Sequence, residues 1–184
     1  VAADDALAAL RADLEQLEGA HLVRVQTPAF DAHSIPWPGR IALYPPGVRE
    51  NGGQYSHGAS WLVDALTALA SDADNVSDAD HLRAEAFRLW QKISPLGRDA
   101  PELAARYGLA PHQQPADIYS GPSHEGRGGW SWYTGAAARM LWAAYGLLGI
   151  DLRDGVVTRG SGPSGGLELY GLRVRGERLP EGRE

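Results

Sequence analysis

Apolar residues near the start of the chain recur every three or four positions. They are Leu7, Leu10, Leu14 and Leu17. This spacing places the four leucines on one helix face, so it predicts an amphipathic helix over residues 3–18 that ends at Gly19.

Four further segments have helical spacing of apolar residues. They are residues 59–69, 81–93, 101–107 and 135–148. Ser77 with Asp80 is a candidate N-terminal cap for the helix over residues 81–93, because short polar side chains satisfy the free N–H groups of a first turn.

Two long segments, residues 22–53 and 111–132, interrupt the helical pattern with proline and glycine. Proline removes a backbone donor and fixes φ, so neither segment can form a long helix. Long loops in a compact domain are uncommon unless they carry function. The sequence therefore predicts that the functional residues lie in these two loops.

The pattern changes after Ile150. Residues 156–158 and 167–174 alternate in the manner of strands, and residues 160–166 have the composition of a flexible linker or wide turn. The residues alone predict helices joined by long functional loops, followed by a β segment too short to close a sheet.

Composition narrows the class of protein. Hydrophobic residues make up 43% of the 184-residue chain and charged residues 22%, which is typical of a globular protein with a real core. The net charge of −6 without a basic run argues against nucleic acid or an anionic membrane as a partner. Cysteine is absent, which excludes disulfides and thiolate metal sites.

We find no signal-peptide pattern at the N-terminus and expect a cytoplasmic protein. The chain opens with Val1 inside a helical pattern, and we expect it to be a piece of a longer protein.

Each of the two loops leads into a predicted helix, and hydrogen-bond donors lie at the start of both helices. His57 precedes the helix that begins near Ala59, and Thr134 with Gly135 opens the last helix. A helix N-terminus carries positive potential and free N–H groups, which suits an anion. The alternatives are a histidine that caps its own helix or fills a polar niche in the core, and a threonine that acts as an ordinary cap.

The first loop also offers groups suited to a sugar. Tyr44 supplies an aromatic face, and Arg49 and Glu50 supply charged hydrogen-bonding groups. The alternative is a solvated ion pair on a surface loop. The second loop adds aromatic residues that form either a sugar platform or part of the core. They are Trp130, Trp132 and Tyr133.

The acids of the second loop, Asp117 and Glu125, are candidates for proton transfer, although either is equally typical of a surface. The histidines lack the spacing of a metal site, so we expect no metal.

Two motifs carry a family resemblance. Residues 44–61 read YPPGVRENGGQYSHGASW, and residues 116–136 read ADIYSGPSHEGRGGWSWYTGA. Both resemble the late catalytic domain of glycoside hydrolase family 94, which includes cellobiose and chitobiose phosphorylases and the C-terminal region of cyclic β-1,2-glucan synthases. The resemblance runs from about Leu7 to Ile150.

The resemblance implies that residues 1–150 form the C-terminal half of an (α/α)₆ barrel and that residues 151–184 begin a truncated β domain. It implies inverting cleavage of β-linked glucosides by inorganic phosphate as co-substrate, without a metal or organic cofactor. In the family, the positions of His57, Thr134 and Gly135 bind phosphate, and some members bind it through a Gln at the position of Asp117. The positions of Tyr44, Arg49 and Glu50 line the acceptor-sugar site.

One departure from the family concerns catalysis. The family's general acid is an Asp that precedes these motifs, and residues 1–26 contain no match to it. We therefore expect this chain alone to be inactive as a glycosyltransferase and to act with the missing N-terminal half of the barrel as a partner. A homodimer is left open. The alternative is a non-catalytic carbohydrate-binding or degenerate fragment.

Overall fold

The computed structural model describes residues 3–73, 76–110, 112–153, 156–159, 167–169 and 172–174. These residues are mostly helical, as the sequence predicts. The α-helices are α1 (Ala3–Leu17), α2 (Ser56–Ser71), α3 (Val76–Ile93), α4 (Pro101–Tyr107) and α5 (Thr134–Leu147). A 3₁₀ helix spans Gly39–Leu43. The strands are β1 (Gln54–Tyr55), β2 (Asp117–Ile118), β3 (Gly128–Gly129), β4 (Ile150–Arg153), β5 (Val156–Arg159), β6 (Leu167–Leu169) and β7 (Leu172–Val174).

The main core lies between α2, α3 and α5. Val63 and Leu66 of α2, Leu89 of α3 and Ala143 of α5 are all fully buried in it. Trp90 of α3 adds a hydrogen bond from its indole N–H to the Met140 carbonyl of α5, at 3.1 Å. Burial of this apolar surface is the main force that holds the three helices together.

Helices α2 and α5 lie side by side and run in the same direction. A Cβ atom on Gly135, near the start of α5, would lie 3.6 Å from the His57 ring near the start of α2. Near the other end, a Cβ atom on Gly146 would lie 3.2 Å from the Thr67 hydroxyl. The N-termini of the two helices are therefore neighbours.

Helix α1 packs its leucine face on this core, with Leu14 buried. Glu18, just after α1, is joined to α3 by ion pairs with Arg88 and Lys92. Burial would raise the pKa of Glu18, but the hydrogen bonds from these two cations outweigh it and hold the pKa below its ordinary value.

A small antiparallel sheet in the order β1-β2-β3 joins the two long loops. Its register pairs Tyr55 with Asp117 and Asp117 with Gly129 on one face. Because side chains alternate along a strand, Ile118 points the other way and is buried with Leu22 and Tyr107 in a second small core.

Two predicted caps are wrong. Ser77 lies inside α3, which begins one residue earlier at Val76, so Ser77 with Asp80 does not cap it. Thr134 is the first residue of α5, and the N-cap position is held by Tyr133 in extended conformation. In both cases helical backbone extends further towards the N-terminus than the polar residue suggests.

Strands β4 and β5 form one hairpin, and β6 and β7 form another. The predicted strands at residues 156–158 and 167–174 are confirmed where the structure describes them, and β4 was missed. The predicted linker at residues 160–166 lies outside the described residues. No helix in the described part of the chain has the length and apolar character needed to cross a membrane.

Candidate functional site

The first part of the site is built from two helix starts. Strand β1 leads directly into α2, and the Ser56 N–H donates to the Ala116 carbonyl at 2.9 Å, which ties this start to the sheet. Neither α2 nor α5 has a side-chain cap at its N-terminus. Their first turns therefore present free backbone donors on neighbouring helices.

His57 is the second residue of α2, so the alternative that it caps this helix is wrong. Its partly buried ring stacks on Tyr55, with centroids 5.9 Å apart and planes at 9°. The ring also lies perpendicular to that of Trp61, at a centroid distance of 5.8 Å. These contacts fix the imidazole beside Gly135, so the structure brings two predicted phosphate ligands together.

The first loop is fixed from within by Asn51, which is fully buried. Its side chain accepts the Phe30 N–H at 2.7 Å and donates to the carbonyls of Phe30 and Tyr44 at 2.9 and 2.8 Å. All of these partners are backbone groups, so the amide holds the loop in shape irrespective of the side chains around it. No pattern in the sequence predicts this role.

Arg49 lies between two aromatic rings. Its guanidinium carbon is 3.5 Å from the ring centroid of Trp130 and 5.2 Å from that of Tyr44. Its Nε also lies 3.7 Å from a Glu50 carboxylate oxygen. The cation–π contact with Trp130 joins the first loop to the second. The Arg49–Glu50 pair is therefore part of a built site, although Glu50 itself is half exposed.

The backbone at this junction is strained. Arg49 and Trp130 have φ values of 55° and 50°. Residues other than glycine rarely adopt this left-handed backbone conformation. It costs on the order of 1–3 kcal/mol per residue and is concentrated at functional sites. Both strained residues are members of the same cation–π contact, so the strain positions that contact.

Asp117 occupies the central strand and is only 5% exposed, so the alternative of a surface acid is wrong. Neither carboxylate oxygen has a hydrogen-bond partner, although the backbone N–H groups of Arg49 and Asp117 approach them. Burial raises the pKa of Asp117, and the nearby Arg49 charge offsets this only in part. A buried carboxyl without partners is unfavourable unless a ligand completes it.

Asp117, Arg49 and Glu50 meet in a cavity of about 60 Å³. The remaining lining residues are Tyr55, Ala116, Trp130 and Tyr133. Trp130 is 61% exposed and Trp132 is 66% exposed, so neither belongs to the core of the described chain. Sequence reasoning missed Tyr55 and Ala116, and the pairing of β1 with β2 is the feature that places them here.

Two tyrosines connect the cavity to the helix starts. Tyr55 lines the cavity and stacks on His57. Tyr133 also lines the cavity, and its ring would be 3.9 Å from a Cβ atom on Gly135. The aromatic cavity and the donor-rich helix starts are therefore adjacent and share a wall.

Other candidates of the second loop lie apart from this cavity. The Glu125 carbonyl accepts a hydrogen bond from Arg106 at 3.3 Å, and the side chain does not line the cavity. His112 contacts the Trp132 ring, and His124 contacts Ser123. No group of His, Asp and Glu side chains within the described ranges is arranged to hold a metal.

Residues 1–149 match the "Glycosyl hydrolase 94 superfamily, catalytic domain". The chain belongs to this superfamily.

One curated relative supports the same assignment. The chain is 39% identical over 134 residues to "Cyclic beta-(1,2)-glucan synthase NdvB" of Rhizobium meliloti (strain 1021). The matched segment covers 72% of this chain and 4% of the relative, so the chain spans a small part of that protein's length.

Proposed function

We propose that this chain forms the phosphate- and acceptor-sugar-binding half of an inverting glycoside phosphorylase or glycosyltransferase acting on β-linked glucosides. Phosphate binds at His57, Thr134 and Gly135, and the sugar binds beside Arg49, Glu50 and Tyr44. The helices belong to an (α/α)₆ barrel. The chain's membership in the glycosyl hydrolase 94 superfamily supports the general class.

The observation that carries the phosphate assignment is the approach of His57 to Gly135 at the start of two parallel helices. Each helix N-terminus contributes about half a positive charge and free N–H donors. The imidazole adds an N–H donor, and the glycine leaves room for a ligand to reach the backbone. Together these groups suit a small dianion better than either helix alone.

The sugar assignment rests on the adjacent cavity. Pyranose rings have apolar faces that pack on aromatic rings and hydroxyl edges that bond to charged groups. Trp130 and Tyr133 offer the former, while Arg49 and Glu50 offer the latter. Tyr55 and Tyr133 border both parts of the site, so phosphate and sugar lie next to each other.

This adjacency suits phosphorolysis. Phosphate held at the helix starts attacks the anomeric carbon from one side, and the glycosidic oxygen leaves towards the acceptor subsite with inversion. The proton for that oxygen comes from the general-acid Asp, which the family places ahead of these motifs. The His57 side of the site positions the nucleophile and balances its charge.

Phosphate titration of the purified protein, followed by ³¹P line broadening, tests the proposal. We expect saturable binding that is competed by sulfate, an anion of similar shape. A non-saturating response that depends only on ionic strength would contradict the phosphate site. Glucose titration followed by Trp fluorescence tests the sugar half separately, because Trp130 lines the cavity.

A further inference from the structure

Asp117 lies in the central strand of the small sheet, on the face opposite the small core that contains Ile118. On its face stand Tyr55 and Gly129, and a Cβ atom on Gly129 would be 2.8 Å from Asp117 Oδ1. The carboxyl group therefore occupies the space that a side chain at position 129 would fill. Its position is fixed by backbone pairing on both sides and does not depend on a flexible loop.

Both oxygens of this carboxyl are buried and form no hydrogen bond of normal geometry, although the backbone N–H groups of Arg49 and Asp117 approach them, and Asp117 lines the cavity. A ligand that stabilises them must donate hydrogen bonds. Phosphate at neutral pH is mainly an acceptor and carries negative charge. The acids Asp117 and Glu50 outnumber the single cation Arg49 at the cavity wall, so the local charge does not favour an anion.

The other walls point to a neutral ring that carries hydroxyl groups. Trp130, Tyr133 and Tyr55 supply flat apolar surfaces, and the cavity of about 60 Å³ has room for the hydroxyl edge of a sugar but not for a whole pyranose. The exposed Trp130 ring stands at the rim, where the body of the sugar would rest.

We infer that Asp117 is a sugar-specificity residue that accepts hydrogen bonds from ring hydroxyls of the bound pyranose and is not a phosphate ligand. This inference rests on the proposed sugar site and departs from the phosphate role that the family resemblance gives to this position. A site built to bond a hydroxyl discriminates strongly against the analogue that lacks it, because the buried acceptor is then left unpaired.

The first experiment compares Asp117→Asn with wild-type protein, using D-glucose and inorganic phosphate as separate probes. Asp13→Asn, which removes the same charge at an exposed position on α1, is the matched control. We expect Asp117→Asn to weaken glucose binding about ten- to hundred-fold, as for a lost hydrogen bond to a charged group. Phosphate affinity stays unchanged or rises, and the control changes neither.

The second experiment separates direct contact from a structural effect. Wild-type protein is titrated with 2-, 3-, 4- and 6-deoxyglucose, and the series is repeated with Asp117→Asn. At least one deoxy sugar should bind the wild type about ten-fold more weakly than glucose. In Asp117→Asn, the affinity difference between that sugar and glucose should largely disappear. The reason is that the substitution and the missing hydroxyl remove the same interaction. A merely structural role would weaken all five sugars equally.

The outcomes are distinct. Equal weakening of every sugar overturns the inference but leaves the proposed sugar site standing. Weaker phosphate binding with unchanged glucose binding returns Asp117 to the phosphate site. Absence of glucose binding by the wild type overturns both the inference and the sugar half of the proposed function, while phosphate titration still decides the other half. A thermal transition retained by Asp117→Asn verifies that the variant is folded.

Discussion

Gly135 faces the imidazole of His57 so closely that a methyl group on its Cα would stand 3.6 Å from Nδ1. These residues are 78 positions apart in the chain, and each lies in the first turn of its own helix. The parallel packing of α2 and α5 brings them together. This contact brings the two sequence motifs together. Substitution of Gly135 therefore tests whether the space beside His57 binds a ligand.

Gly135→Ala should separate stability from binding. A contact of 3.6 Å is ordinary packing, so the fold tolerates the methyl group, and alanine favours helix over glycine by up to about 1 kcal/mol. The methyl group nevertheless fills space beside His57. We expect an unchanged or higher melting temperature with phosphate binding weakened about ten-fold, roughly 1.4 kcal/mol.

Gly146→Ala is the matched comparison on the same helix. Its methyl group would lie 3.2 Å from the Thr67 hydroxyl, away from the helix starts. It should leave phosphate affinity unchanged, whatever its effect on the melting temperature. Equal phosphate affinities for the two variants would show that the room beside His57 is not a ligand site.

The neighbouring glycines of β3 should respond differently to the same substitution. Gly128→Ala places a Cβ atom 2.6 Å from Leu109 in the small core, and such overpacking costs about 1–3 kcal/mol. Gly129→Ala instead places it 2.6 Å from the Tyr119 hydroxyl and 2.8 Å from Asp117. Glucose titration should show lost affinity for the Gly129 variant and retained affinity for the Gly128 variant. The reverse pattern would place the sugar site on the other face of the sheet.

Asp117→Asn should stabilise the free protein at neutral pH. Because burial raises the folded-state pKa of Asp117, the folded chain holds a proton that the unfolded chain releases. Its contribution to stability is full below the ordinary Asp pKa, about 3.9, and is lost as pH rises through the raised value. The variant lacks this loss, so it should be more stable than the wild type at pH 7. Denaturant melts at pH 3 and pH 7 check this, and a constant difference between the two pH values would contradict it.

Arg49→Lys should weaken sugar binding although the charge is kept. Lysine lacks the planar group that stacks on Trp130 at 3.5 Å, so it holds the aromatic wall less firmly. We expect glucose affinity to fall about ten-fold, roughly 1.4 kcal/mol, with a change in Trp fluorescence. Arg40→Lys, at an exposed position, is the control. Equal affinities in both variants would show that only charge matters at residue 49.

The sequence predicted the helices well because their apolar spacing is regular and the core follows it. Leu14, Leu66 and Leu89 are buried as their helical faces require. Helix starts were less predictable. Thr134 is helical although the N-cap Tyr133 forms no side-chain cap, since tertiary packing can stabilise a first turn without one.

The site was only partly predictable for a different reason. His57, Gly135 and Arg49 lie in motifs that can be recognised in the sequence by their glycine and aromatic residues. The burial of Asp117, in contrast, depends on strands of two residues each. Pairing of such short strands leaves no period in the sequence. The exposed or buried state of an acid there is set by its partners across the sheet, which are distant in the chain.

Replacement of His57 by alanine tests the central claim most directly, with His81→Ala at an exposed position of α3 as the control. Loss of one donor to the anion should weaken phosphate binding by about 1.5–3 kcal/mol, roughly ten- to hundred-fold. The ³¹P titration should show this loss for His57→Ala alone, while glucose affinity changes much less. Unchanged phosphate affinity in His57→Ala, in a protein that still melts cooperatively, would contradict the phosphate site.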